Sequence, residues 1–266
     1  MRLLVLLYAL GSVCAGDWLA VGQQQSAAHQ FLEAESSFQR AIDADKNNAE
    51  AYKALGRVEV ELKKYNEAYH AWLKAEHLDP NCAKTKYYLG RLFYEADLPN
   101  QAAAWLREAL KLAPHDYAAM TYLGLSAEAL SYGDVALKLY GNAIAESVAA
   151  QSPYSWAYLS LGKLLQKRGE TDRAFKVLEQ GSQKCPEAHE LSALGQLLIT
   201  RSQPGRAEQV LRQALKLDPS LSEAHYRLAL LLESSGRAAD ARTEMAAFEH
   251  AKAQEKEIPK ITAIRK

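Results

Sequence analysis

Imidazole and thiolate are the side chains that most readily hold a metal, pass a proton or attack a carbonyl, so the histidines and cysteines are the first place to look for chemistry. Their spacing offers none. His29, His70, His77, His115, His189, His225 and His250 are scattered, and neither a His-Glu-x-x-His nor a Cys-x-x-Cys occurs. Glu67 and His70 share a helix face, but one such pair without a companion reads as a solvated pair. Gly124-Leu125-Ser126-Ala127-Glu128 echoes a nucleophile elbow. It lacks the second glycine and lies in helix-forming sequence, without the strand and sharp turn that expose such a serine. Glycine-rich phosphate loops are also missing. The residue chemistry therefore argues against an enzyme, and no catalytic residue, metal or cofactor is assigned. Recognition is the chemistry that remains. Arginine can hold a carboxylate through two parallel hydrogen bonds, and tyrosine or tryptophan gives contact area at little conformational cost.

Whatever such residues recognise, a repeated element must position them. Leu55-Gly56 is followed twelve residues later by Ala68 and twelve after that by Pro80, and Leu89-Gly90, Ala102 and Pro114 repeat the spelling 34 residues on. A small residue recurs in the first slot as Gly22, Gly56, Gly90, Gly124, Gly162, Gly195 and Ala229. Twelve residues after each stands Ala34, Ala68, Ala102, Ala136, Ala174, Ala207 and Ala241. A fixed period of this length marks a stacked array of supersecondary units. The repeats read as 15–48, 49–82, 83–116, 117–150, 155–187, 188–221 and 222–255. Length alone would allow one or two domains, but a continuous repeat implies one elongated unit.

Within each repeat the apolar residues recur at spacings of three and four, as in Ala34, Phe38 and Ala41, which places them on one helical face. Gly169 and Gly236 share an inter-helix slot suited to a left-handed residue, and Pro99 and Pro204 share one just before the second helix. Pro80, Pro114, Pro186 and Pro219 mark the turn to the next unit. No stretch alternates at period two, so no strand is predicted. Small residues at the crossing of two helices should let backbones approach, with a larger neighbour filling the space. The largest slip in register comes after repeat four: Gly124 to Gly162 is 38 residues, and the extra four fall near Ala149 to Tyr154. With Pro153 unable to continue a helix, this predicts a lengthened loop.

The 266 residues carry 32 basic and 32 acidic side chains, which argues against a nucleic-acid partner. After Met1-Arg2, Leu3 to Val13 is almost wholly apolar, and Val13-Cys14-Ala15 ends the run with small residues. This reads as a signal peptide over 1–15 cleaved after Ala15, leaving 16–255 as the array in an exported, periplasmic or secreted protein. The run is too short to span a bilayer, so no transmembrane segment is expected in the mature chain. Acylation at Cys14 is the weaker alternative, because Gly11 stands where a lipobox has leucine. A further core helix is the structural alternative for residues 3–15. Cys82 and Cys185 lie three repeats apart, roughly 30 Å for stacked helices, beyond disulfide reach. Residues 256–266 read as a short basic tail after a polar helix end.

The combination of aromatic or large apolar residue, Leu-Gly, Ala, aromatic, Ala and Pro at a 34-residue period resembles the tetratricopeptide repeat, over about 15–255. Departures are local: Lys86 and His225 replace a packing aromatic, Gly181 and Phe248 a late alanine, Lys46 and Val148 prolines. The resemblance implies an all-α solenoid of about seven helix-turn-helix units, a right-handed superhelix with its concave wall lined by the first helix of every unit. Wall positions are then the second, fifth, sixth, ninth and twelfth of each repeat. They give Lys53 and Arg57, then Lys84, Tyr87, Tyr88, Arg91 and Tyr94, then Tyr122, Trp156 and Lys163. Two readings of these residues stand side by side: a groove for a partner peptide or helix, and ordinary packing with solvated charges. The lysine and asparagine clamp of chaperone-tail-binding relatives is not reproduced, since Arg57 replaces its asparagine. The expected function is a non-enzymatic scaffold that binds a protein or peptide partner in the groove. The alternative is a structural or assembly subunit of an envelope complex, docking by the convex face.

Overall fold

The computed structural model describes residues 15–255. The proposed signal, with Cys14, and the 256–266 tail lie outside the described residues, Ala15 excepted. Within them the chain forms fourteen helices and no strand. The first five are α1 (Ala15–Ala27), α2 (Phe31–Ala44), α3 (Ala49–Glu61), α4 (Tyr65–Leu78) and α5 (Ala83–Glu95). Then follow α6 (Pro99–Leu112), α7 (Tyr117–Ala129), α8 (Gly133–Ala149), α9 (Ser155–Lys167) and α10 (Thr171–Lys184). The last are α11 (Ala188–Thr200), α12 (Pro204–Leu217), α13 (Ser222–Ser234) and α14 (Ala238–Glu255). They gather into two compact units, the first holding α1–α5 up to Ala96, the second α6–α14 from Asp97. In each unit every helix packs on its neighbours in sequence. First helices also touch their counterparts one repeat on, as α1 touches α3 and as α7, α9, α11 and α13 touch in succession. This is α-solenoid architecture built from helix-turn-helix units.

Each first helix ends in the same way. Lys63 takes φ 60°, and the N–H groups of Lys63 and Lys64 donate to the carbonyls of Val60 and Glu59 at 2.9 and 2.7 Å. That pair of bonds is the Schellman closure, which satisfies carbonyls the helix end would leave unbonded. Gly169 does the same in α9 at φ 79°. Glycine was the legible signal for this slot, yet His29, Asp97, Ser131 and Ser202 occupy it too, all with positive φ. Asn48 and Asp116 cap α3 and α7 through side-chain oxygens that accept from Ala51 and Ala119 N–H groups.

The small-residue slot is filled by a side chain from the second helix rather than by bare backbone contact. A methyl group on Gly56 would lie 2.5 Å from Trp72 Nε1, and one on Gly162 would lie 2.6 Å from Leu178 Cδ2. The fillers Phe38, Trp72, Tyr140, Leu178 and Leu211 are buried, and each large side chain removed from water contributes about 1.5–3 kcal/mol. In the first unit Phe38, Ile42, Leu55 and Val58 form one core. In the second, Leu178, Leu191, Leu198, Leu211 and Leu228 belong to another.

The register slip is resolved differently from the predicted long loop. Helix α8 has 17 residues where the preceding second helix, α6, has 14, so most of the insertion lengthens the helix. Gln151 then closes it at φ 53°, with Ser152 N–H donating to Ser147 O. An alanine-rich run such as Ala143-Ile-Ala-Glu-Ser-Val-Ala149 favours helix until Pro153 stops it. The packing departures also find partners. Lys86 is buried and pairs with Glu76 at 2.9 Å, and His225 Nδ1 lies 2.7 Å from Glu244.

Candidate functional site

In the first unit α3 and α5 lie side by side as first helices, with α4 supplying the ring that fills the slot at Gly56. Residues four apart on a helix share a face, so Arg57 and Glu61 on α3 look towards Tyr87, Tyr88, Arg91 and Glu95 on α5. With Val60, Trp72 and Leu92 they line a cleft of about 300 Å³. Its floor is aromatic: Trp72 stacks on Tyr88 with centroids 5.2 Å apart and planes 17° from parallel, and Trp72 Nε1 donates to Lys53 O at 3.1 Å. Arg57 extends over Tyr88, its guanidinium carbon 6.0 Å from the ring centroid. Among the described residues Arg57 has no ion pair or hydrogen bond; Arg91, by contrast, is held by Glu95 at 2.6 Å. One guanidinium is thus available and the other is already engaged.

The remaining sequence-predicted residues distribute as follows. Lys53 lines a neighbouring cleft with Gln23, Glu50 and Arg57, pairs with Glu50, and lies 3.8 Å from Cys82 Sγ. Burial pulls its ammonium down, but the Glu50 carboxylate together with Cys82 and Tyr88 raises it above the usual lysine range. Tyr87 is largely buried, 8% exposed, and Lys84 lies over its ring at 5.4 Å. Tyr94 is half-buried on the same helix. Tyr122, Trp156 and Lys163 belong to the second unit; Tyr122 is half-buried and the other two are exposed. The structure therefore brings Arg57, Tyr87, Tyr88 and Arg91 together around one cleft and leaves the others beside it or in the other unit.

Sequence reasoning missed Trp72 because the search was confined to first helices, and missed Glu61 and Glu95 because their slot, the thirteenth, was not among those scanned. It also missed a second cleft, about 490 Å³, between α11 and α13, lined by Gln196, Ile199, Tyr226 and Leu230 among others. Tyr226 and Leu230 occupy the fifth and ninth slots of their repeat and were readable by the same register. This second cleft is the less charged. Its arginine, Arg227, is turned to Ser192 Oγ at 2.6 Å and to Glu223. No group of three His, Cys, Asp or Glu among the described residues is placed to hold a metal. No described helix is long and apolar enough to cross a membrane.

Solved structures of similar fold include the APC/C hetero-tetramer Cut9-Hcn1, at 21% identity and TM-score 0.71 over 82% of this chain, which spans 43% of that one. Pseudomonas aeruginosa pilF matches at 20% identity and TM-score 0.66, over 79% of this chain and 94% of that one. PilW, described as a widely conserved type IV pilus biogenesis factor, matches at 16% and 0.67, over 79% and 96%. These likenesses are of fold. No curated protein sequence matches. The tetratricopeptide-repeat pattern matches residues 22–83, 61–117 and 192–255, more than half of the 266 residues. With seven small-residue slots in register and helix pairs of the right length around them, the chain belongs to the tetratricopeptide-repeat family.

Proposed function

We propose that this protein is a non-enzymatic interaction scaffold that takes an extended or helical segment of a protein partner against the α3–α5 wall, through an acidic side chain next to an apolar or aromatic one. The observation that carries this reading is Arg57: a guanidinium over an aromatic floor, beside a cleft, with no carboxylate of the described chain upon it. A partner carboxylate would complete it, and a ring could extend the Trp72–Tyr88 stack. Because the wall is built on packed helices, little ordering is needed on the scaffold's side, and only the ligand must be fixed. Glu61 and Glu95 at the cleft edge would discriminate against purely acidic sequences, so a mixed motif suits it better than a run of carboxylates.

The test is fluorescence-anisotropy binding to an array of peptides pairing Asp or Glu with an aromatic residue. Arg57→Ala should weaken binding at least tenfold, Arg91→Ala less, because Glu95 already holds Arg91. Unchanged affinity in the double variant would refute the site. A second reading, an assembly subunit docking by another surface, is favoured by Tyr132 and Val135, which are 60% and 51% exposed near the start of α8 in the second unit. Affinity capture from the native source separates the two: loss of the partner on Tyr132→Ser with Val135→Ser, and not on Arg57→Ala, would favour the second.

A further inference from the structure

The second unit contains a joint unlike the others. Where one repeat meets the next, the twenty-seventh residue of the first packs near the third of the second, and alanine usually fills both slots. Ala41 with Ala51, Ala143 with Ala157 and Ala214 with Ala224 share core clusters in this way. Between repeats five and six the slots hold Gly181 and Glu190. The two departures fit each other: a methyl on Gly181 would overlap Glu190 Oε1 and would lie 2.8 Å from Tyr158 Cβ. The glycine leaves the space that the carboxyl fills.

Glu190 is 0% exposed, and neither of its side-chain oxygens has a hydrogen-bond partner. We propose that the α10–α11 joint is a pH-gated contact, closed on a neutral Glu190 and opened when that carboxyl ionises. The groups that face it offer no compensating cation. From α9 comes Tyr158; from the end of α10 come Cys185, a half-buried free thiol, and the exposed Lys184; from the cap of α11 comes Glu187. On α11 itself His189 is exposed, and Arg227 of α13 is taken up by Ser192 and Glu223. The partial positive charge at the start of α11 favours the ionised form. Removal of both oxygens from water opposes it and wins: burial, then the Glu187 charge, raises the carboxyl to about 8. The same burial, with Glu190 next, pushes the Cys185 thiol up to about 11.

The direction of the response follows. An opened joint exposes a carboxyl that ionises near 4.5, whereas the closed joint keeps its proton until about 8. Between those values the open form binds fewer protons, so rising pH favours opening by up to tenfold per pH unit, levelling above about 8. The joint also sets the contact between α9 and α11, first helices whose exposed faces carry Trp156 and Gln196.

Hydrogen exchange read by mass spectrometry on the full chain tests this, with rates corrected for intrinsic pH dependence. Protection over residues 181–192 should fall on the order of a hundredfold or more from pH 5 to pH 8. In Glu190→Gln, an uncharged near-isostere, it should stay nearly level. Equal pH dependence in the two proteins overturns the proposal. Should the variant fail to fold, the carboxyl 13C resonance of Glu190 in the wild-type protein decides: a midpoint near 8 supports the gate, and one at or below 5 overturns it.

Discussion

Two glutamates are buried among the described residues, Glu59 in α3 and Glu190 in α11, and the two units accommodate them differently. Glu59 stands in the eleventh slot of its repeat, where the corresponding residues are Gln25, Phe93, Ala127, Leu165, Leu198 and Leu232. It is 7% exposed, one of its oxygens lacks a partner, and charges of both signs surround it: Glu35, Glu67 and Lys64. Burial, then the two carboxylates, raises it to about 7, against a smaller pull from Lys64. Glu190 has no nearby cation acting on it, but it has a glycine opposite that fits it. One carboxyl is tolerated at the edge of a charged cluster, the other is given a shaped and fully buried place. Burial of a charge-bearing group thus has two local solutions in one solenoid, partial electrostatic compensation and steric complementarity, and only the second demands a matching change on the neighbouring helix.

The sharpest way to break that contrast is to remove the complementarity. Gly181→Ala should destabilise the protein by about 2 kcal/mol, since the new methyl overlaps a carboxyl that has no solvent to swing into, partly offset by alanine's better helix propensity. Adding Glu190→Ala should recover most of the loss, because the joint then carries the alanine pair found at Ala143 and Ala157. Urea midpoints at pH 6 for the single and double variants measure this. A double variant no more stable than the single would mean that Gly181 and Glu190 are not a matched pair.

Glu59 should behave in the opposite manner, improving on replacement without any second change. Its folded form holds a proton up to about 7, whereas an unfolded chain releases it near 4.5, so wild-type stability falls as pH rises through that window. Glu59→Leu lacks this fall. Its advantage should be small at pH 4.5 and grow by about 3 kcal/mol by pH 8, read from thermal or urea melts across that range. A constant difference at all pH values would place the effect in packing rather than in the carboxyl.

Both positions were open to inspection in the sequence, since a glutamate in a slot that most repeats fill with an apolar residue or alanine is visible once the register is set. What hid them was attention to the wall. Period and small residues fixed the helix pairs because backbone closeness and side-chain fill leave few alternatives at Gly56 or Gly162. The wall was legible in part for the same reason: slot nine yields Arg57 and Arg91 directly. Their difference in availability was not legible, because it depends on Glu95 reaching Arg91 and no carboxylate reaching Arg57. Tyr87 shows the converse, a wall slot whose side chain is largely buried. The lengthening of α8 escaped because helix and loop compete over a few residues with no punctuation before Pro153.

The turn after each first helix offers a finer test of how separate these effects are. Lys63 closes α3 one turn beyond Glu59, and the Glu59 carbonyl itself accepts the Lys64 N–H, while in the second unit Gly169 closes α9 with the Glu170 N–H donating to the Leu165 carbonyl at 2.9 Å. A lysine at φ 60° carries a steric cost that glycine does not, though glycine also loses more freedom on folding. The net gain of Lys63→Gly should be about 0.5 kcal/mol, and Gly169→Ala should lose about as much or slightly more, since alanine cannot relax from φ 79° without breaking the closure. Unlike the Glu59→Leu gain, neither change should vary between pH 5 and pH 8. If the Lys63→Gly gain proves pH-dependent, or fails to add to that of Glu59→Leu, the end of α3 opens as one piece with its buried carboxyl. The first unit's compensation would then reside in the backbone turn as much as in the charges around it.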